Sequence, residues 1–586
     1  MAVNRIPCGW CGKIARIDLT SKQWTVEIPD PETLMKFIGG RGLAGFYLRD
    51  HITLNWDDPD MPLLLFTGPL VNTPSPTSGR MTIMSRSPLT GTIGDCSVGG
   101  SLGVQLKSAG FDGIIITGKS DLPCGIEIED HAIRFASAES VTGMSTSDAC
   151  RIFKPKGAVA VTGPAAERGV LYSNVIIDGH YAAGRNGLGL VFASKKLKYI
   201  TVRGTGKTGI YDSEELRRAK EDILRLVAAS PAIMGHFGIS RFGTGALYDL
   251  MDARCMMPTD NFRNSRFHCA SSMNAVAYAK QYHPVKTGCR GCHIRCKKKN
   301  RDGIHIPEFE TMSHFSALLG NCDMKTVIEA NRICNDLGMD TISAAVTLAC
   351  YAEITEKRLS PEQILRLLSE TGTQKNPGRD LGVGAARMAQ QHNRPEFAMA
   401  VKRQELPAYD PRGAYGMALA YAVSTRGACH LRAYPISHEI LRKPVATDRF
   451  SFEGKARIIK INEDVNAVVD SLTVCKFVFF AATLEEYARV FSAVTGIQVY
   501  GQDLLKTGER ICYLERMMNA QNGFGKADDD LPSRFFETPG YINPTMKNDP
   551  INRDRFMRAL ADYYTVRGLD ENGMPVLSRA KELGLV

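Results

Sequence analysis

No run of about 18 uncharged apolar residues occurs in the chain, so no membrane span is expected. The closest approach, Ala467 to Leu484, is interrupted by Asp470 and Lys476 and reads as a buried element. Met1 to Pro7 holds one arginine and no apolar core, so no export signal is expected and the chain is placed in the cytoplasm. Internal repeats and low-complexity linkers are missing, which leaves no repeat array or flexible tether to assign. A strong charge imbalance is missing too. A net charge of +10 over 586 residues is a mild bias and no footprint of a nucleic-acid binder. The densest basic run, Lys297-Lys298-Lys299-Asn300-Arg301, reads as a solvated loop, with a docking surface for an acidic electron carrier as the sharper alternative.

What is present is a soluble-type composition, 44% apolar and 23% charged, on a chain too long for one hydrophobic core. Up to about residue 208 short β-type runs recur: Lys13–Leu19, Trp24–Ile28, Leu63–Phe66, Met81–Met84, Gly113–Thr117, Ile126–Glu129, Val159–Val161 and Tyr199–Val202. Their tight spacing favours antiparallel pairing. Near residue 209 the texture turns helical. Ser213-Glu214-Glu215-Leu216 looks like a helix start capped by Ser213, and helices are predicted at 324–336, 341–356, 361–371, 381–392, 455–469, 484–495 and 553–565. The expected fold is α+β, with a β-rich domain at 1–208 and two mostly α-helical domains at 209–398 and 399–586.

Sixteen cysteines in a large chain without an expected export signal read as thiols and metal ligands rather than disulfides. Cys289, Cys292 and Cys296 form a C-x2-C-x3-C cluster with Gly288 and Gly291, which let the backbone curl around one point. Three thiolates at this spacing suit an iron–sulfur cluster whose fourth ligand is distant in sequence. Structural zinc and unliganded thiols remain open on spacing alone. Cys8 and Cys11 share the C-x2-C spacing but have no partner pair and read as structural.

An ordered set of segments resembles the tungsten-containing aldehyde:ferredoxin oxidoreductase family. The set runs through Gly9–Ile14 and Arg16–Thr20, Thr67-Gly68-Pro69, Pro76–Arg80, Ser87–Gly91, Gly99-Gly100, Ala109–Asp112, Gly184–Gly189, Pro307–Thr311 and Tyr563–Gly568. It spans nearly the whole chain. The resemblance implies that the N-terminal domain forms a base under a tungsten bis-pterin (tungstopterin), with molybdenum as the alternative metal, and that the two helical domains cover it. It also implies a [4Fe-4S] cluster, magnesium bridging the pterin phosphates, and oxidation of aldehydes to carboxylic acids. Electrons would pass to ferredoxin or a partner iron–sulfur subunit, with homodimer and hetero-oligomer both open. The catalytic subunit of a complex reducing an aromatic acyl-CoA ring, and a non-catalytic iron–sulfur electron-transfer protein, are the alternatives.

Residue by residue, the resemblance makes Cys475 the fourth cluster ligand. It places Arg80 between pterin and cluster, where a guanidinium offers a planar fork of donors. Asp470 and Val474 lie in a pterin-binding motif in which Thr473 stands for the family's glycine. Asn335, Gly338 and Asp340 form the parallel motif, with Asn335 in place of aspartate. Ser97 would give a backbone carbonyl to magnesium, beside Gly99 and Gly100. Gly184, Arg185, Asn186 and Gly187 would approach the phosphates from the other side. Glu310 and His430 match the residues that move protons near the metal. Glu329 matches an acidic ligand of an interface iron, but no histidine falls near residue 380.

Overall fold

The computed structural model describes residues 6–543 and 546–586; Met1–Arg5, part of the segment screened for an export signal, lies outside them. The N-terminal region is built on two six-stranded sheets. The first contains β1 (Ile14–Asp18), β2 (Gln23–Glu27), β3 (Leu63–Phe66), β4 (Met81–Arg86), β5 (Ile93–Val98) and β6 (Gly113–Thr117), in the order β2-β1-β6-β3-β4-β5. The second contains β7 (Cys124–Glu129), β8 (Ala132–Ser137), β9 (Ala158–Thr162), β10 (Val175–Ile177), β11 (Tyr181–Ala183) and β12 (Leu197–Arg203), in the order β11-β10-β9-β12-β7-β8. The antiparallel expectation needs amending. Each sheet contains one parallel pair, β1 with β6 and β7 with β12, because longer connections with helices intervene.

Side-chain alternation explains how the sheets stack. In the first sheet Ala15, Ile17, Leu65, Ile83 and Ile116 share a core with Ile126, Ala160, Ile177 and Ile200 of the second. Their neighbours Ile14, Leu64, Phe66, Met84 and Ile115 point the other way, into a core with Val468, Leu472, Tyr487 and Leu514 of the helical region. The first sheet is thus buried on both faces. Full burial of each such Leu or Ile stabilises by about 1.5–3 kcal/mol.

Helices dominate from Ser213 onward, as expected from the sequence. The cap of Ser213–Ala229 is Asp212 rather than Ser213: its carboxylate accepts the free N–H groups of Glu214 and Glu215 at 3.0 and 2.9 Å. Six of the seven anticipated helices form within two residues of their expected bounds. The seventh splits into Gly378–Leu381 and Ala385–Gln391. The longest helix, Gly501–Gln521, has no clean apolar stripe to announce it. It buries Glu515 and Arg516 in ion pairs, and a Cβ on Gly508 would lie 2.0 Å from the Asp464 carbonyl of the neighbouring helix Lys455–Ser471.

Two further expectations change. Cys269 and Cys322, remote in sequence, are brought together and bonded as a disulfide, so the chain is not wholly one of thiols. The basic run is not a solvated loop. Lys297–Lys299 is a strand, β14, paired with β13 (Val285–Thr287). In it Lys298 is buried, donating to the carbonyls of Arg295 and Lys297, and Lys297 pairs with Glu308 at 2.6 Å. Among the described residues no single helix is long and apolar enough to cross a membrane.

Candidate active site

The floor of the site is an edge of the first sheet. Because Met81 pairs with Val98 and Thr82 with Ser97, Arg80 and Gly99 emerge side by side from β4 and β5. Arg80 donates from Nε to Ser97 Oγ at 2.9 Å and from Nη2 to the Ser97 carbonyl at 2.5 Å. The loop 472–475 docks on the same edge. Cys475 N–H donates to the Thr77 carbonyl at 3.0 Å, Arg80 N–H to the Thr473 carbonyl at 3.3 Å, and Gly68 N–H to Thr473 Oγ1 at 3.1 Å. Thr473 has φ +54°, the left-handed conformation natural to glycine, which a β-branched residue holds at the cost of strain.

The β13–β14 hairpin closes a loop that carries Cys289, Cys292 and Cys296, since Thr287 pairs with Lys297 across its base. These three and Cys475 are only partly buried. The loop lies against the sheet edge so tightly that a Cβ on Gly99 would fall 2.6 Å from Cys289 Sγ. Burial raises the Cys475 thiol to about 11, with Arg80 opposing and Cys292 and Cys289 adding to the rise. Burial also pushes Cys296 up, reinforced by Cys475. The four thiols therefore sense one another.

Above the floor, Glu310 sits in the first turn of the helix Phe309–Phe315 and accepts the Ala408 N–H at Oε2, 2.7 Å. Its Oε1 has no hydrogen-bond donor and lies 3.5 Å from His430 Nε2. Burial raises the Glu310 carboxyl to about 8, while burial and the cations Arg185 and Arg426 hold His430 well below its ordinary value. Near neutral pH the pair is a carboxylic acid beside a neutral imidazole.

One cavity of about 1170 Å³ joins these parts. It is lined by Arg80, Ser97, Gly99, Gly184, Arg185, Asn335, Asp340, Asp470, Glu310, His430 and all four cysteines. Asp470 pairs with Lys476 at 2.6 Å and Arg41 at 3.6 Å, but its Oδ1 is buried and unpartnered. Asp340 caps the helix Thr341–Ile354 by accepting the Ile342 N–H, and it also pairs with Arg185 Nε at 3.0 Å. Five expected residues do not line the cavity. Gly100 (φ +103°) and Gly187 (φ +71°) hold turns, and Gly338 (φ +75°) ends the helix Met324–Leu337. Asn186 is buried, donating to the Arg426 carbonyl at 3.0 Å, and Val474 is fully buried. Cys8 and Cys11 stand outside the site; Cys11 Sγ meets the Lys107 carbonyl at 3.5 Å.

Sequence reasoning missed several residues. Asp95 is buried between Arg432 and Arg426, with burial raising its carboxyl and the two guanidinium groups holding it far below the ordinary value. Cys429 accepts from Arg426 Nη2 at 2.9 Å; burial raises its thiol, but Arg426 and Arg432 bring it below the ordinary value. Tyr409 and Tyr434 flank His430. The only signal for Asp95 and Cys429 was their closeness in sequence to Ser97 and His430; nothing local marked the tyrosines.

A β-rich base and a helical cover, meeting over a deep cavity with converging thiols at one side, define a cofactor-binding α+β protein. The chain belongs to the aldehyde ferredoxin oxidoreductase family: the model of the family's N-terminal domain matches residues 14–204, and that of domains 2 and 3 matches residues 218–585. It is 34% identical to the tungsten-containing aldehyde ferredoxin oxidoreductase of Pyrococcus furiosus, over 98% of each chain, and 33% identical to that of Thermococcus kodakarensis over the same shares. It is also 25% identical to the aliphatic sulfonate oxidoreductase WOR-like subunit of Pyrococcus furiosus, over 98% of this chain and 97% of that one. Among solved structures, the active site complex BamBC of benzoyl coenzyme A reductase with 1,5-dienoyl-CoA shares the fold, with a TM-score of 0.85 at 18% identity over 99% of this chain and 98% of that one.

Proposed function

We propose that the chain oxidises aldehydes to carboxylic acids with a tungsten bis-pterin, molybdenum being the alternative metal. Electrons would leave through a [4Fe-4S] cluster on Cys289, Cys292, Cys296 and Cys475 to ferredoxin or a partner iron–sulfur subunit. The observation that carries this reading is that the four thiols, Arg80, Asp470 and the Glu310–His430 pair open onto one cavity.

The residues fit these groups. Asp470 Oδ1 is a buried acceptor without a donor, suited to pterin N–H groups, and Asp340 lies across the same cavity. Arg80 sits beside both the thiols and Ser97, where a fixed cation suits an anionic cofactor. Gly184 and Arg185, which line the cavity, would hold the phosphates, and the Ser97 carbonyl would be a ligand for magnesium. When bound, the metal–pterin group supplies two-electron oxidation and the cluster carries electrons out one at a time.

The chain's own residues manage the protons. Aldehyde and water yield carboxylate, two electrons and three protons, so a base must take protons at the reacting carbon's water. Glu310 in its ionised form can accept one at Oε1, and the neutral imidazole of His430 stands 3.5 Å away at Nε2 to orient it. The Ala408 N–H fixes the other carboxyl oxygen, which keeps Oε1 aimed at the cavity.

The test is aldehyde-dependent reduction of a viologen dye by protein purified without oxygen, with carboxylate measured as product. Carboxylate formed in step with the reduced dye, and lost in E310Q, is the expected result. A protein carrying pterin and cluster that reduces no dye with any aldehyde contradicts the proposal.

A further inference from the structure

We propose that the aldehyde is an aryl or arylalkyl aldehyde, its ring held by an aromatic wall of Tyr409, Tyr434, Phe480 and Phe477. The proposal rests on the aldehyde-oxidising reading above and names its substrate class. The wall runs outward from the proton-transfer pair. Tyr409 lies 5.5 Å, centroid to centroid, from the His430 ring, and Tyr434 lies 6.2 Å from it. Tyr434 meets Tyr409 edge-on at 6.1 Å, Phe480 follows at 5.9 Å from Tyr434, and Phe477 stacks with Phe480 at 6.1 Å. All four side chains line the cavity. Tyr409 is buried, whereas Tyr434, Phe477 and Phe480 keep part of their surface free.

Two details separate this wall from ordinary core packing. Tyr434 is held at φ +49°, a conformation costly for a bulky residue, and its carbonyl is tied down by Ser437 Oγ at 3.1 Å and Ser437 N–H at 3.3 Å. The fold accepts strain to keep that ring beside His430. The hydroxyls of Tyr434 and Tyr409 lie 3.4 Å apart and can satisfy each other, so the wall offers ring faces and edges more than free donors. A planar aromatic ring can meet these surfaces in edge-to-face or offset contact, while a short aliphatic chain leaves them exposed to water. With its ring among Tyr434 and Phe480, such a substrate would direct its aldehyde carbon toward Glu310 and His430.

The test compares phenylacetaldehyde with acetaldehyde on the holoenzyme, and phenylacetate with acetate in calorimetric binding to the same protein. A kcat/KM ratio and an affinity ratio both favouring the aryl compound by about tenfold or more are expected. Phe480→Ala should cut both ratios by about tenfold, with the kinetic change falling mainly on KM for phenylacetaldehyde, and Phe480→Tyr should restore them. Equal binding of the two carboxylates, or ratios unchanged in F480A, overturns the proposal. Because binding is read without turnover, an enzyme inert toward all aldehydes would refute the reaction while the affinity ratio still judged the wall.

Discussion

Glu310 Oε1 and His430 Nε2 face each other at 3.5 Å inside the cavity, the one raised to a carboxyl value of about 8 by burial and the other kept neutral. If ionised Glu310 is the base, kcat/KM for aldehyde oxidation should climb with pH and level off above about 8. E310Q should lower kcat/KM by about 10²- to 10⁴-fold. A flat pH profile in the wild type would remove Glu310 from that role.

The same shift has a stability consequence with a definite sign. A carboxyl raised in the folded state stabilises the fold below its unfolded value, and that contribution is lost as pH rises toward about 8. Wild type should therefore lose thermal stability relative to E310Q between about pH 5 and 8. Thermal melts across that range check it; a constant difference in Tm contradicts the burial argument.

Gly99 leaves no room beside Cys289, since a Cβ would sit 2.6 Å from its Sγ. Gly99→Ala should displace the cysteine loop and give folded protein with little cluster iron and weak visible absorption. Full iron content in G99A would mean that the loop relaxes elsewhere.

Asp95 neutralises Arg432 and Arg426 in a buried setting. Asp95→Asn keeps the shape but removes the carboxylate charge beside Arg432 and Arg426, and a loss of about 3–5 kcal/mol is expected from denaturant unfolding. A loss under about 1 kcal/mol would show that Glu515, 3.6 Å from Arg432, suffices as counter-charge.

Exposed cations flank the cysteine loop: Arg290, Arg295, Lys299 and Arg301. Reversing Lys299 and Arg301 should slow electron transfer to an acidic carrier at low salt, with the difference fading as salt screens it. Lys297 and Lys298 are poor choices for that experiment, because one is paired with Glu308 and the other is buried. A rate independent of charge and salt would place the electron exit elsewhere.

Much of this architecture was legible because its signals are local. The β runs, the helix periodicities and the C-x2-C-x3-C spacing each express the geometry of a few consecutive residues. What stayed hidden depends on distant partners. The helix Gly501–Gln521 carries buried Glu515 and Arg516 that look like surface residues until Arg41 and Asp529 are placed beside them. Cys269 and Cys322 gave no hint of pairing across 53 residues. The parallel pairs β1–β6 and β7–β12 depend on crossovers that short-range alternation cannot report. In the site, Gly100, Gly187 and Gly338 belong to the matched motifs yet serve the turns around the cavity rather than its lining, a distinction only backbone angles reveal.

The most direct test of the whole reading is metal and pterin content in protein purified without oxygen, in wild type and in Cys475→Ser. Wild type should hold about four irons per chain together with tungsten or molybdenum and releasable pterin, and C475S should lose most of the iron. Zinc in place of iron, or iron without any pterin, would contradict it.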